Sequence, residues 1–113
     1  MALRRSYTAV VERNQVWSGA FASEPYEAAW ASEAIFFVRC LKVEGSPGPV
    51  VARVQISPDG MHWCDEGSNV DLPTIPNQVA FVRVKHFGGW LRLAGETADG
   101  AALTIVAYVN LKE

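Results

Sequence analysis

The residues with the clearest potential for chemistry stand together between His62 and Glu66, where the sequence reads H-W-C-D-E. In a strand, His62 and Cys64 would project from the same face, so both could bind one metal ion. Two ligands do not complete a tetrahedral site, and the fold would have to bring His86 close to add a third. We therefore interpret the string as a polar strand end and predict no metal site and no cofactor.

A cysteine–histidine pair could also support nucleophilic catalysis, but it requires a third group that orients the histidine. The sequence contains no G-x-S-x-G nucleophile elbow, no Walker loop, no dinucleotide fingerprint and no H-E-x-x-H zinc motif. Asp65 and Glu66 are adjacent, whereas the two carboxylates of a glycosidase face each other across a cleft. The sequence thus predicts no catalytic residues and a protein that is not an enzyme.

The sequence contains four tryptophans in 113 residues, which suggests a different kind of site, a platform on which sugar rings stack. The candidate ligand-binding residues are Trp17 and Trp30 for stacking and Arg92 for holding hydroxyl groups. The alternative is that some of these rings belong to the core, where large aromatic side chains provide much of the buried area. A carbohydrate-binding module is therefore the second functional hypothesis from the sequence.

The composition favours a single domain over residues 1–113, with residues 1–5 as a short N-terminal arm. Half of the residues are hydrophobic and 19% are charged, a balance that excludes an intrinsically disordered chain. Uninterrupted apolar runs such as Ala34–Val38 are far too short to cross a bilayer. The formal net charge is −2, so we expect no nucleic-acid binding through direct phosphate contacts.

The first residues do not have the pattern of a signal peptide. The polar residues Glu12, Arg13 and Asn14 stand where an apolar segment would be required. We expect synthesis in the cytoplasm, and the final location is open, including incorporation into a virion or another assembly.

The elements that must position these residues have the two-residue period of strands. In the last segment Leu103, Ile105 and Leu111 fall on one face, and Leu91 and Leu93 do so in the segment before it. The segment 79–87 alternates in the same way. Gly88-Gly89 and Asp99-Gly100 provide turns, so the C-terminal third is predicted to form a three-stranded antiparallel meander.

A hairpin is predicted over Val50–Trp63, where Asp59-Gly60 permits a turn with positive φ. Trp63 follows the turn and is predicted to fold over the core. Further strands are predicted at 6–12, 15–22 and 34–43, and the Pro- and Gly-containing segments 44–49 and 67–77 are predicted loops. Segment 23–31 is predicted to form a loop or one helical turn.

The sequence thus predicts seven or eight short strands with turns between them, which favours a sandwich over a barrel or a propeller. The absence of an internal repeat also argues against a propeller. We predict an all-β fold, a single antiparallel β-sandwich that is jelly-roll-like.

Both faces of the strand 35–41 are apolar, although a strand in a two-layer sandwich needs only one buried face. Either a loop such as 23–31 covers the second face, or the face meets another subunit. Aromatic residues in outward registers of other strands favour an interface. The predicted interface residues are Phe36, Val38, Phe81, Phe87, Trp90 and Tyr108. The expected partner is a second copy of the chain, and other structural subunits are open.

The two cysteines, Cys40 and Cys64, are too few to define a disulfide framework. They are predicted to be buried small hydrophobic residues, with a disulfide as the alternative if their strands are neighbours.

The segment Ser57–Trp63 reads S-x-D-G-x-x-W and is similar to the Asp-box hairpin of sialidase-like propellers, but it is one residue shorter and occurs once. A wider order extends over Val50–Lys112: a strand, this motif, a polar connection, x-V-R-V, W-L-R-L and a closing apolar strand. That order resembles small jelly-roll-like β-sandwich proteins of bacteriophage structural gene sets and related self-assembling bacterial sandwiches. The resemblance implies a virion-type or other self-assembling component with no active site, packed through sheet faces and loops.

Overall fold

The structure, a computed structural model, describes residues 5–113; positions 1–4 of the predicted N-terminal arm lie outside the described residues. Alternation of apolar and polar residues produces nine strands in this part of the chain. They are β1 Ser6–Trp17, β2 Ala20–Ala22, β3 Tyr26–Glu27, β4 Glu33–Glu44, β5 Val51–Ser57, β6 Cys64–Asp71, β7 Val79–Lys85, β8 Trp90–Glu96 and β9 Ala102–Lys112.

The strands form two antiparallel sheets. Sheet A has the order β1-β9-β4-β7, and sheet B has the order β2-β8-β5-β6 with β3 also paired to β8. The first strand pairs with the last, and the chain passes repeatedly from one sheet to the other, which is the arrangement of a jelly roll. The prediction of an all-β, jelly-roll-like antiparallel sandwich is confirmed. Nine strands are present because the segment 23–31 contains the two-residue strand β3, which the sequence did not indicate.

The predicted C-terminal meander is wrong. β7 pairs with β4 and β9 pairs with β1 and β4 in sheet A, whereas β8 pairs with β5 in sheet B. The connections after β7 and β8 are therefore arches between the sheets. A glycine with positive φ, such as Gly100 at +77°, permits a chain reversal of either kind, so the turn residues do not distinguish an arch from a hairpin.

The core lies between the sheets and is built from the inward residues of each strand. The predicted inward face of β9 is confirmed, since Leu103, Ile105 and Leu111 are completely buried, as are Leu91 and Leu93 of β8. On β4, however, the inward residues include Phe36 and Val38, each only 1% exposed. Their prediction as interface residues is wrong, because with apolar residues on both faces the sequence did not reveal which alternate set points inward.

The predicted hairpin is present as β5 and β6, joined by the six residues 58–63. Gly60 has a φ of +79°, as the turn requires, and a Cβ at this position would come within 3.2 Å of the Trp90 ring. Trp63 does not fill the core as predicted. It is half-buried on the outer side of sheet B, where the guanidinium carbon of Arg92 lies 4.3 Å from the centre of its ring.

Both cysteines are free thiols. Cys40 is buried on β4 of sheet A, as predicted, but Cys64 is exposed on β6 of sheet B, so its predicted burial is wrong. Because β6 continues to Asp71, half of the predicted loop 67–77 is strand.

Candidate functional site

The outer face of sheet A carries a row of apolar side chains that crosses all four strands. Val10 on β1 pairs with Tyr108 on β9, Tyr108 pairs with Phe37 on β4, and Phe37 pairs with Phe81 on β7. Cross-strand partners project from the same face, so these four residues, hereafter the aromatic row, form a continuous line. With neighbouring strands about 4.8 Å apart, the row is roughly 14 Å long.

The aromatic row is accessible to solvent. Val10 is 42% exposed and Phe81 is 51% exposed, while Phe37 and Tyr108 are half-buried. The rings of Phe37 and Phe81 contact each other with centroids 6.2 Å apart, and the Arg83 guanidinium lies 5.0 Å from the Phe81 ring centre. Apolar residues also flank the row, most prominently Val79 at 58% exposure. The result is a two-dimensional apolar patch, a surface feature that often marks an interaction site.

Charged residues surround the aromatic row, and most of them are basic. By strand register, the outer face of sheet A presents five cationic side chains against the carboxylates of Glu33 and Glu44, which gives the face a formal charge of +3. The five cations are Arg39, Lys42, Arg83, Lys85 and Lys112. Lys42 and Glu44 form an exposed ion pair at 2.9 Å. The face is therefore basic in a protein whose net charge is −2.

The outer face of sheet B is different, because a hydrogen-bonded polar network covers its centre. Arg92 Nε donates to Gln55 Oε1 at 2.8 Å, and Gln55 Nε2 donates to Asp65 Oδ1 at 2.9 Å. Arg53 Nε lies 3.4 Å from the same Asp65 oxygen. Partial burial lowers the pKa of Arg92, whose guanidinium remains charged and covers the Trp63 ring.

The Asp59 carboxylate organises the turn between β5 and β6. Its Oδ1 accepts hydrogen bonds from the amides of Met61 and His62 and from the hydroxyl of Ser57. Its Oδ2 lies 2.7 Å from His62 Nδ1. The His62 and Met61 amides and the His62 ring hold the pKa of Asp59 far below its ordinary value. The arrangement stabilises a turn, and within residues 5–113 no three His, Cys, Asp or Glu side chains group as metal ligands would.

The comparisons with known proteins identify a family without an assigned role. The family described as a domain of unknown function (DUF6385) matches residues 40–113, about two thirds of the chain. The chain belongs to this family. Among curated proteins, no sequence matches it significantly. Among solved structures, the SPBc2 prophage-derived protein YomS is similar, with a TM-score of 0.61 over 100% of this chain and 97% of that one. The identity is 7%, so the likeness concerns the fold.

The family match divides the aromatic row. Phe81 and Tyr108 lie within residues 40–113, whereas Val10 and Phe37 precede that segment. Sheet A therefore combines strands from the matched segment with β1 and most of β4, which lie before it.

Among residues 5–113, no helix is long and apolar enough to cross a bilayer.

The structure disperses the six predicted interface residues. Phe81 and Tyr108 belong to the aromatic row, and Phe36 and Val38 lie in the core. Trp90 is half-buried on sheet B against the turn at Gly60. Phe87 is partly buried against the core in the arch that follows β7. Sequence reasoning missed Val10 and Phe37. The signal for Phe37 was its position in β4, two residues from the exposed charge of Arg39.

The three predicted ligand-binding residues lie in three different places. Trp17 is buried and stacks on Phe21 with ring centroids 4.2 Å apart, so its prediction as a ligand platform is wrong. A tryptophan at this inward register fills the core instead of meeting solvent. Arg92 belongs to the network on sheet B, and only Trp30, 38% exposed, borders an open cleft.

That cleft, hereafter the tyrosine cleft, has a volume of about 570 Å³ and is lined by Arg5, Ser6, Tyr7, Tyr26 and Trp30. It lies where the beginning of β1 approaches β3 and the turn that follows β3. Burial, together with the neighbouring Tyr7 hydroxyl that hydrogen-bonds it, raises the pKa of Tyr26. Arg5 is held by an ion pair with Glu113 at 3.0 Å, and its guanidinium lies 5.6 Å from the Trp30 ring centre.

Proposed function

We propose that this protein is a non-catalytic structural subunit that self-associates through the outer face of sheet A. The observation that supports this proposal is the aromatic row, a line of partly exposed apolar side chains that extends from one edge of the sheet to the other. Phenylalanine, tyrosine and arginine are enriched at interfaces between proteins, and all three occur on this face. The proposed partner is a second copy of the chain.

The size of the face is suited to a stable contact. The four strands are 12, 11, 12 and 7 residues long. At about 3.3 Å per residue and about 4.8 Å between strands, they give a footprint of roughly 670 Å². Stable interfaces bury about 800 Å² on each partner, so one sheet face is close to sufficient. Burial of apolar area contributes about 25 cal/mol per Å², and the flanking valines add to the area of the four row residues.

We propose that the assembled protein is a component of a phage-type particle. Two findings support this setting: the jelly roll is a common fold of viral capsid subunits, and the chain has the fold of a prophage-derived protein. The family name supplies no activity. Of the residues considered for catalysis, His62 lies in the β5–β6 turn with its ring 2.7 Å from Asp59 Oδ2, and Asp65 Oδ1 accepts a hydrogen bond from Gln55.

Light scattering coupled to size-exclusion chromatography tests the proposal. The wild-type chain is expected to elute at a multiple of its 12.4 kDa mass, and Phe81→Ser is expected to reduce that mass toward a monomer. Tyr7→Ser is the matched control, because Tyr7 is 55% exposed but pairs with the buried Leu111, so its side chain belongs to neither outer face. A monomeric wild type, or equal loss of mass in both variants, would contradict the proposal.

The tyrosine cleft supports a second candidate function, the binding of a glycan. Three aromatic rings, two phenolic hydroxyls and the Arg5 guanidinium surround one opening, and this combination provides stacking surfaces and hydroxyl-binding groups for a sugar ring. Titration with cellohexaose and chitohexaose should change the tryptophan fluorescence of the wild type. Trp30→Phe should abolish the change and Trp63→Phe should retain it. An unchanged spectrum with every oligosaccharide would exclude this candidate for these sugars.

A further inference from the structure

The two outer faces of the sandwich carry opposite charges. The face of sheet A has a formal charge of +3, as described above. By strand register, the outer face of sheet B presents four carboxylates against two cations, which gives a formal charge of −2. Its charged residues are Glu27, Asp65, Asp71, Glu96, Arg53 and Arg92. The faces lie on opposite sides of the molecule because the two sheets pack against each other through the core.

This charge distribution distinguishes two modes of self-association. In a symmetric contact, the face of sheet A would meet itself and place +3 against +3. Like charges brought together at an interface are unfavourable, whereas complementary faces attract and orient the partners. Contact between sheet A of one copy and sheet B of the next copy instead places +3 against −2.

The face of sheet B also has the residue types of an interface centre. Trp63, Trp90 and Arg92 are each half-buried on this face, and tryptophan and arginine are the residues that most often dominate binding energy. The polar network already fixes Arg92 against Gln55 and Trp63, so little side-chain freedom would be lost when a partner covers it. The aromatic row of the next copy would pack on these rings.

We infer that the copies associate head to tail, with the outer face of sheet A on the outer face of sheet B of the next copy. This inference rests on the proposed self-association and specifies its partner surface. A head-to-tail contact leaves one face of each kind free at the ends, so it propagates into a ring or a filament and does not stop at a dimer.

A mixing experiment with two variants tests the inference. Phe81→Asp alters only the face of sheet A, and the double variant Asp71→Lys/Glu96→Lys changes the formal charge of the sheet B face from −2 to +2. All three positions are exposed, so both proteins should fold, as thermal melts would verify. Alone, each variant should self-associate at least about tenfold more weakly than the wild type, since each lacks one competent face.

An equimolar mixture should restore association, because the intact sheet B face of one variant meets the intact sheet A face of the other. The expected product is a capped pair of about twice the 12.4 kDa chain mass, since neither outer end can propagate. If the charge-reversed variant does not fold, the neutral pair Asp71→Asn/Glu96→Gln replaces it, and weaker association than in the wild type is expected.

The outcomes separate the two proposals. A monomeric wild type would overturn self-association itself. A wild type that assembles, together with a sheet B variant that assembles equally well and a mixture that gives no rescue, would overturn only the head-to-tail arrangement and indicate a symmetric contact through sheet A.

Discussion

At the scale of single residues, the turn between β5 and β6 depends on one carboxylate and one glycine. The Asp59 carboxylate accepts hydrogen bonds from two backbone amides and one hydroxyl of this segment. Without the carboxylate, these three donors would lose that partner. Gly60 adopts a positive φ directly beneath the Trp90 ring. The sequence predicted the turn from these two residues because an Asp-Gly pair is found mainly in turns, where glycine tolerates a positive φ. It did not predict that the ring packed there is Trp90, since Trp63 is nearer in sequence and Trp90 arrives from another strand.

We predict that the contribution of Asp59 to stability depends on pH. Its pKa is lowered in the folded state, so its contribution is fully present above the ordinary value of 3.8 and is lost as the pH falls below that value. Asp59→Asn should lower the Tm at pH 7, and the difference from wild type should shrink as the pH approaches 2. Thermal melts from pH 7 to pH 2 measure this. A Tm difference that is constant over the range would contradict the assigned role.

Gly60→Ala should destabilise the fold more than Gly19→Ala. Both glycines have a positive φ, +79° and +69°, so both substitutions carry backbone strain of about 1–3 kcal/mol. Only at Gly60 does the added Cβ meet a ring, because nothing lies within 4 Å at Gly19. Urea denaturation of the two variants measures the difference. Equal losses of stability would show that the Trp90 contact contributes nothing.

At the scale of elements, β4 shows what alternation can and cannot predict. The strand was recognised from its apolar residues, and its bounds, Glu33–Glu44, agree closely with the predicted 34–43. The inward set could not be chosen because Phe36 and Phe37 are equally apolar. Their cross-strand partners decide it: Phe36 pairs with the buried Val109 and Val82, whereas Phe37 pairs with Tyr108 and Phe81.

We predict different effects for substitutions at these two neighbours. Phe36→Ala should cost about 3–5 kcal/mol of unfolding free energy, since it leaves a cavity in the core. Phe37→Ala should cost about 1 kcal/mol, the scale of a cross-strand aromatic pair, and should weaken self-association. Chemical denaturation in dilute solution and light scattering at higher concentration separate the two effects. A large loss of stability in Phe37→Ala would contradict the surface role.

At the scale of the whole molecule, the jelly roll assembles its surfaces from residues that are distant in sequence. The aromatic row takes positions 10, 37, 81 and 108 from four strands whose order in the sheet differs from their order in the chain. Period-two alternation was sufficient to predict a sandwich, because it requires only neighbouring residues. The row and the opposite charges of the two outer faces required the strand order, which the turn residues do not encode.

Sedimentation velocity of the wild-type chain over a concentration series tests self-association through sheet A most directly. We predict a sedimentation coefficient that increases with protein concentration, and Phe81→Ser should remove the increase while Tyr7→Ser retains it. A single boundary at the 12.4 kDa monomer mass at every concentration would contradict the account.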